Sequence, residues 1–178
     1  MKTLSKKINQ VLVLLSLLTI GLVNGQTITG KSSKTAVNGT SPMHDWVMTS
    51  GTSTFVGTVS GNAIENAKFV IAGKTLKSTK GSMMDNKAYK ALKSDKQPNI
   101  TFTAASLPVG KTNVSGKLTI AGVTKTVTFP VSVVKSGSSY NVSGSINLKM
   151  SDFGMETPGF LGVHTGDAVT VTVNITAN

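Results

Sequence analysis

The side chains able to do acid–base or metal chemistry are few and scattered. The 178-residue chain has two histidines, seven acidic residues and no cysteine. That excludes a cysteine nucleophile, a disulfide, a thiolate-held metal and an iron–sulfur cluster. His44 and His164 are the two side chains of the type most often used as an acid–base group. His44, followed by Asp45 and preceded by Ser41, has the composition of a base, its orienter and a nucleophile. Neighbours along a strand point to opposite faces, however, so an adjacent His-Asp pair is poorly placed for mutual hydrogen bonding. His44, His164 and Asp167 lack the paired spacing of a zinc or iron site. The glycines stand singly, and none forms a phosphate-cradling loop. The expectation is a protein with no catalytic residue, no metal and no cofactor, with a small histidine-dependent hydrolase or metal enzyme as an alternative.

The charge is large and of one kind. All 18 basic residues are lysine, and the formal net charge is +11. Bidentate recognition of guanine edges and phosphates belongs to arginine, whereas lysine is a hydrated point charge. Sequence-specific binding of nucleic acid is therefore not expected. Lys2, Lys6 and Lys7 precede an apolar run over residues 11–23 and small residues at 23–25, the organisation of a cleaved secretory signal peptide. The run is shorter than the ~20 residues of a spanning helix. Cleavage after Gly25 leaves 153 residues, one domain over residues 26–178, with 15 lysines against 7 acids and a charge of +8. A periplasmic or secreted location follows from that reading.

The elements that must position these groups are strands. Apolar residues alternate with Thr, Ser, Asn and Lys at 67–71, 100–104, 117–120, 126–129, 141–149 and 169–175, the period of a half-buried strand. Gly, Asn and Ser punctuate them at Gly51, Gly61-Asn62, Gly73, Gly110, Ala121-Gly122, Ser136-Gly137 and Gly166. Breaks every 8 to 14 residues or so predict an antiparallel meander closed as a barrel or sandwich of roughly eight strands. Residues 82–93 depart from this pattern. Met84, Ala88, Ala91 and Leu92 fall on one helical face and Lys87, Lys90 and Lys93 on the other. Ser82 with Asp85 predicts a capping box, and Pro98 predicts the end of the segment.

Four stretches resemble the YceI-like family, also called lipid- or polyisoprenoid-binding. They are GTSPMHDW at 39–46, KAYKALKSDKQPNITF at 87–102, GKLTIAGVTKTVTFPV at 116–131 and LKMSDFGMETPGFLGVHTGD at 148–167. The first resembles the GTSxxHDW segment of a bacterial branch, with Pro42 and Met43 where relatives usually have Thr and Leu. The resemblance implies an all-β fold, an eight-stranded antiparallel lipocalin-like barrel with one short amphipathic helix near its opening. It also implies a bacterial periplasmic or secreted carrier of an isoprenoid or other long-chain amphiphilic lipid, and no catalytic activity.

On that reading the inward, ligand-binding positions are Phe69, Ile71, Ile100, Phe102, Leu118, Ile120, Val127, Phe129, Val142, Ile146 and Leu148. Trp46, Met84, Leu92, Phe153 and Phe160 frame the entrance. Lys87, Lys90 and Lys93 are the expected contacts to an anionic headgroup or membrane surface. Two alternatives stay open: a filled barrel that serves as a structural or interaction module without a lipid, and pairing of barrels as a homodimer.

Overall fold

A computed structural model describes residues 25–160 and 162–178, with the side chain of Phe160 outside the description. The signal-peptide expectation falls on residues that lie outside the described part, except Gly25. In chain order the elements are β1 (Gln26–Gly39), β2 (Trp46–Ser50), β3 (Thr54–Ser60), β4 (Ala63–Ala72) and β5 (Lys77–Ser78), followed by the helix α1 (Ser82–Ala91). Then come β6 (Asn99–Pro108), β7 (Gly110–Ile120), β8 (Val123–Ser136), β9 (Ser139–Lys149), β10 (Gly159–Phe160), β11 (Val163–His164) and β12 (Ala168–Ala177).

Eight antiparallel strands close on themselves in the order β1, β3, β4, β6, β7, β8, β9 and β12, with β12 returning to pair with β1. Closure removes the exposed edges that an open sheet would present. Strands β2 and β3 both pair with β1 in one unbroken register, from Gly39 opposite Trp46 to Gln26 opposite Val59. They are two halves of one strand opened at residues 51–53, and the opening lets β5 pair with the upper half. The described residues form the expected eight-stranded barrel with one short α-helix.

The two ends of the barrel differ. The β3–β4, β6–β7 and β8–β9 connections hold one or two residues each. At the other end, residues 40–45, 73–98 and 150–167 form long connections, and only the β7–β8 turn is tight. That turn places Ala121 (φ 50°) and Gly122 (φ 85°) in the left-handed region, the two-residue geometry that matches strand twist.

Two apolar clusters occupy the interior. The lower one gathers Ile28, Phe55, Ile64, Leu107, Val133 and Tyr140 towards the tight-turn end. The upper one gathers Met48, Ile71, Leu76, Leu92, Leu118 and Phe153 under the helix. Phe69 and Phe102 pack against both.

Helix α1 departs from the sequence expectation at each end. No capping box forms, and Gly81 is the N-cap without a side-chain bond. Asp85 is instead buried and accepts from the Ser78 amide at 2.7 Å, because the chain before the helix folds back against its first turn. The helix stops at Ala91, before the proline signal. Lys93 adopts φ 53°, the Ser94 amide bonds the Tyr89 carbonyl and the Lys93 amide the Lys90 carbonyl. This is a Schellman closure with lysine in the place glycine usually holds.

Candidate functional site

The inward faces of the eight strands enclose a cavity of about 210 Å³ that reaches from the helix end down to residues of the lower cluster. Its two sides are made of different side chains. Phe55, Phe69 and Phe102 stand in one row across β3, β4 and β6, and Phe129 adds a fourth ring from β8. Across the barrel, β12, β1 and β9 present Val169, Val171, Val173, Val37, Thr35 and Gly144. Small β-branched residues and a glycine facing phenylalanines leave volume unfilled, so the lumen is open.

Glycines seat the aromatic rings. A methyl group built on Gly116 would lie 2.5 Å from the Phe102 ring, and one on Gly144 would lie 3.0 Å from the Phe129 ring. The Trp46 ring covers Gly39 in the same way at the mouth, and its Nε1 donates to the Thr40 carbonyl at 3.2 Å.

The helix is clamped over the mouth by polar contacts. The Tyr89 hydroxyl lies 3.0 and 2.9 Å from the carbonyls of Lys74 and Leu76. Asp85 holds Ser78 and lies 3.4 Å from Lys77. The hydrogen bond with Tyr89, and after it that with Asp85, raises the Lys77 ammonium above its ordinary pKa. On the other side of the mouth, Asp167 accepts from the Ser151 amide at 2.8 Å and the Ser151 hydroxyl at 2.6 Å. Those two bonds, the hydroxyl first, hold its carboxyl below the usual carboxylate range.

The cavity lining includes most of the positions expected from the sequence: Phe69, Ile71, Ile100, Phe102, Leu118, Ile120, Phe129, Val142, Ile146 and Leu148 from the strands, with Trp46, Met84, Leu92 and Phe153 above them. Val127 packs on the upper cluster but does not reach the cavity. It stands opposite Gly116, and the Phe102 ring takes the space over that glycine. Phe160 lies in β10, and its side chain is outside the description. Lys90 and Lys93 are exposed, whereas Lys87 turns to the cavity lining beside Met84 and Ala88. The wall formed by Thr35, Val37, Val169, Val171 and Val173 was not among the expected positions. For β12 the alternation at 169–175 carried the signal; β1 is too polar to show one.

Chemically the lining is apolar with a few polar side chains, namely Thr35, Ser78, Lys87, Lys149 and Thr165, and no carboxylate. Lys87 sits on the helix, Lys149 ends β9 and Thr165 lies in the loop before β12, so three of these border the mouth. His44 is exposed, its amide and carbonyl both bonded to the Ser41 hydroxyl. His164 Nδ1 lies 3.0 Å from the Thr157 carbonyl. Neither histidine lines the cavity. Among the described residues no group of three His, Asp or Glu side chains could hold a metal ion.

A family model described as the YceI-like domain matches residues 26–177. No curated protein matches the sequence. Solved structures do match. Burkholderia cenocepacia BcnA is 20% identical, with a TM-score of 0.69 over 82% of this chain and 96% of that one. A polyisoprenoid binding domain from Saccharophagus degradans is 15% identical, with a TM-score of 0.69 over 85% and 97%. The Campylobacter jejuni YCEI protein is 21% identical, with a TM-score of 0.52 over 89% and 86%. At these identities the structures speak for the fold, and the family model covers the whole barrel: the chain belongs to the YceI-like family.

Proposed function

We propose that the protein is a non-catalytic carrier, periplasmic or secreted, that holds one isoprenoid or other long-chain amphiphile in the barrel lumen. The observation that carries this reading is the open lumen of about 210 Å³, walled by valines on one side and phenylalanines on the other. The name of the Saccharophagus degradans domain, polyisoprenoid binding, supports the same ligand class. The signal-peptide pattern in residues 1–25 supports export.

The energetics suffice without chemistry. Each CH₂ removed from water contributes about 0.8 kcal/mol, so roughly ten buried carbons give about 8 kcal/mol, the size of a micromolar binding free energy, and further buried carbons offset the ordering costs.

The carrier meets its donor at the helix end. Seven lysines lie between Lys74 and Lys96, and Met43 and Met83, 77% and 66% exposed, belong to the connections and helix of that same end. Cationic and apolar side chains on one rim fit an anionic lipid surface.

Mass spectrometry of organic extracts from gently purified protein tests the proposal. A carrier yields a lipid near one per barrel, or takes up an added polyprenyl probe to that level. A barrel that holds no lipid and takes up none is an interaction module, and the proposal fails.

A further inference from the structure

The fold leaves two hydroxyls of the cavity lining unpaired, Thr165 in the connection before β12 at the mouth and Thr35 in the wall of the lumen. Thr35, in the upper half of β1, is only 4% exposed. It lines the cavity, and its Oγ1 is enclosed without a hydrogen-bond partner. Across the sheet its row runs to Ser50 on one side and to Val173, Gly144 and Val131 on the other. The Ser50 hydroxyl is already engaged with Thr75 and Thr52. The other three offer no polar side chain.

An unpaired buried hydroxyl destabilises a fold, and valine, of nearly the same shape, would remove it. A buried water would need two to four polar partners, and in this row Thr35 is the one unengaged polar side chain. The hydroxyl sits four residues below Gly39, the upper end of β1, which is roughly 13 Å along the strand. Thr35 is therefore well inside the lumen, away from the rim where Lys87 and Lys149 lie, and its Oγ1, closed off from the open volume in this rotamer, reaches it by rotation about χ1.

We propose that Thr35 is the recognition point for a neutral oxygen, a ketone, ester or alcohol, carried by the ligand within its buried length. A charged group does not fit this depth, since its row holds no countercharge and burial of an unpaired charge is prohibitive. The ligand is thus an oxygenated long-chain lipid with one hydrogen-bonding function inside the tunnel. This inference rests on the carrier reading.

The test compares farnesylacetone with the hydrocarbon in which a methylene replaces its carbonyl, each displacing an apolar fluorophore from wild type, Thr35→Val and Thr35→Ser. Thr35→Val is expected to bind the ketone about tenfold more weakly, to hold the hydrocarbon as tightly as wild type does, and to melt no lower without ligand. Thr35→Ser retains the ketone affinity. Parallel changes for the two probes, or none for either, would overturn the role of Thr35 and leave the carrier standing. Wild-type protein that binds neither probe would overturn both.

Discussion

Phe102 and Phe129 meet edge to face, their centroids 5.3 Å apart and their planes at 61°. They come from β6 and β8, and the intervening strand β7 makes room by presenting Gly116 beneath the Phe102 ring. Both rings line the lumen, Phe129 packing against the lower apolar cluster and Phe102 against both clusters. Gly116→Ala would push a methyl into that ring and against the Thr103 carbonyl, both 2.5 Å from where it must sit. Overpacking of this kind costs about 1–3 kcal/mol. Chemical denaturation should show that loss, and probe titration should show weaker uptake as the ring is displaced into the lumen.

The valine wall makes a complementary test. Val171 lines the cavity opposite Val37 and Ile146, so Val171→Trp places an indole in space now empty. Thermal unfolding is expected to move little, because the cavity receives the ring, while polyprenyl uptake falls to background. A variant that unfolds readily, or one that still binds at wild-type affinity, would place the open volume elsewhere.

Much of the barrel was legible from alternation. The inward residues of β4, β6, β7 and β9 read directly because their outward partners are Thr, Lys, Ser and Asn. Strand β1 was not legible, since Lys31, Ser32, Ser33 and Lys34 hide the period before Thr35 and Val37, and a bulge between Gly30 and Ser32 shifts its register. The helix end was misread because Lys93 holds a left-handed conformation that sequence rules assign to glycine. Whether the lumen is empty could not be read at all. The same alternation fills a barrel or hollows it, and the outcome depends on which wall carries phenylalanine and where Gly116 and Gly144 fall.

Asp167 supplies a pH dependence. Its carboxyl is held below the usual range by Ser151, so its contribution to loop order is complete above the unfolded value of about 3.9. That contribution is lost as pH falls through the depressed folded value. Protection of the Ser151 amide, taken against its intrinsic exchange rate at each pH, should therefore fall in the acid region below about pH 4, and Asp167→Asn should show low protection at neutral pH with little further change on acidification. Wild-type protection that is lost already near neutrality would contradict this assignment.

Asp85 fastens the helix over the mouth through Ser78 and Lys77. Asp85→Ala leaves the Ser78 amide without its acceptor and is expected to cost about 1.5–3 kcal/mol, the range for a hydrogen bond to a charged group. Release of a bound probe should quicken at the same time, since α1 supplies Met84, Ala88 and Ala91 to the lining. Stopped-flow dissociation checks this directly.

Reversal of charge at Lys87, Lys90 and Lys93 tests the donor surface. The triple Lys→Glu variant should lose roughly 10–100-fold in affinity for anionic vesicles, with neutral vesicles unaffected and the wild-type difference vanishing at high salt. Equal binding to both kinds of vesicle before and after substitution would remove the membrane role and leave the lumen untouched.

Titration of a geranylgeranyl fluorophore into wild-type and Val171→Trp protein decides whether the lumen itself holds the chain of a lipid. A carrier saturates at one probe per wild-type barrel with micromolar affinity and takes up none in the filled variant, both proteins folded to the same extent. Equal uptake by the two, or none by wild type, would contradict it.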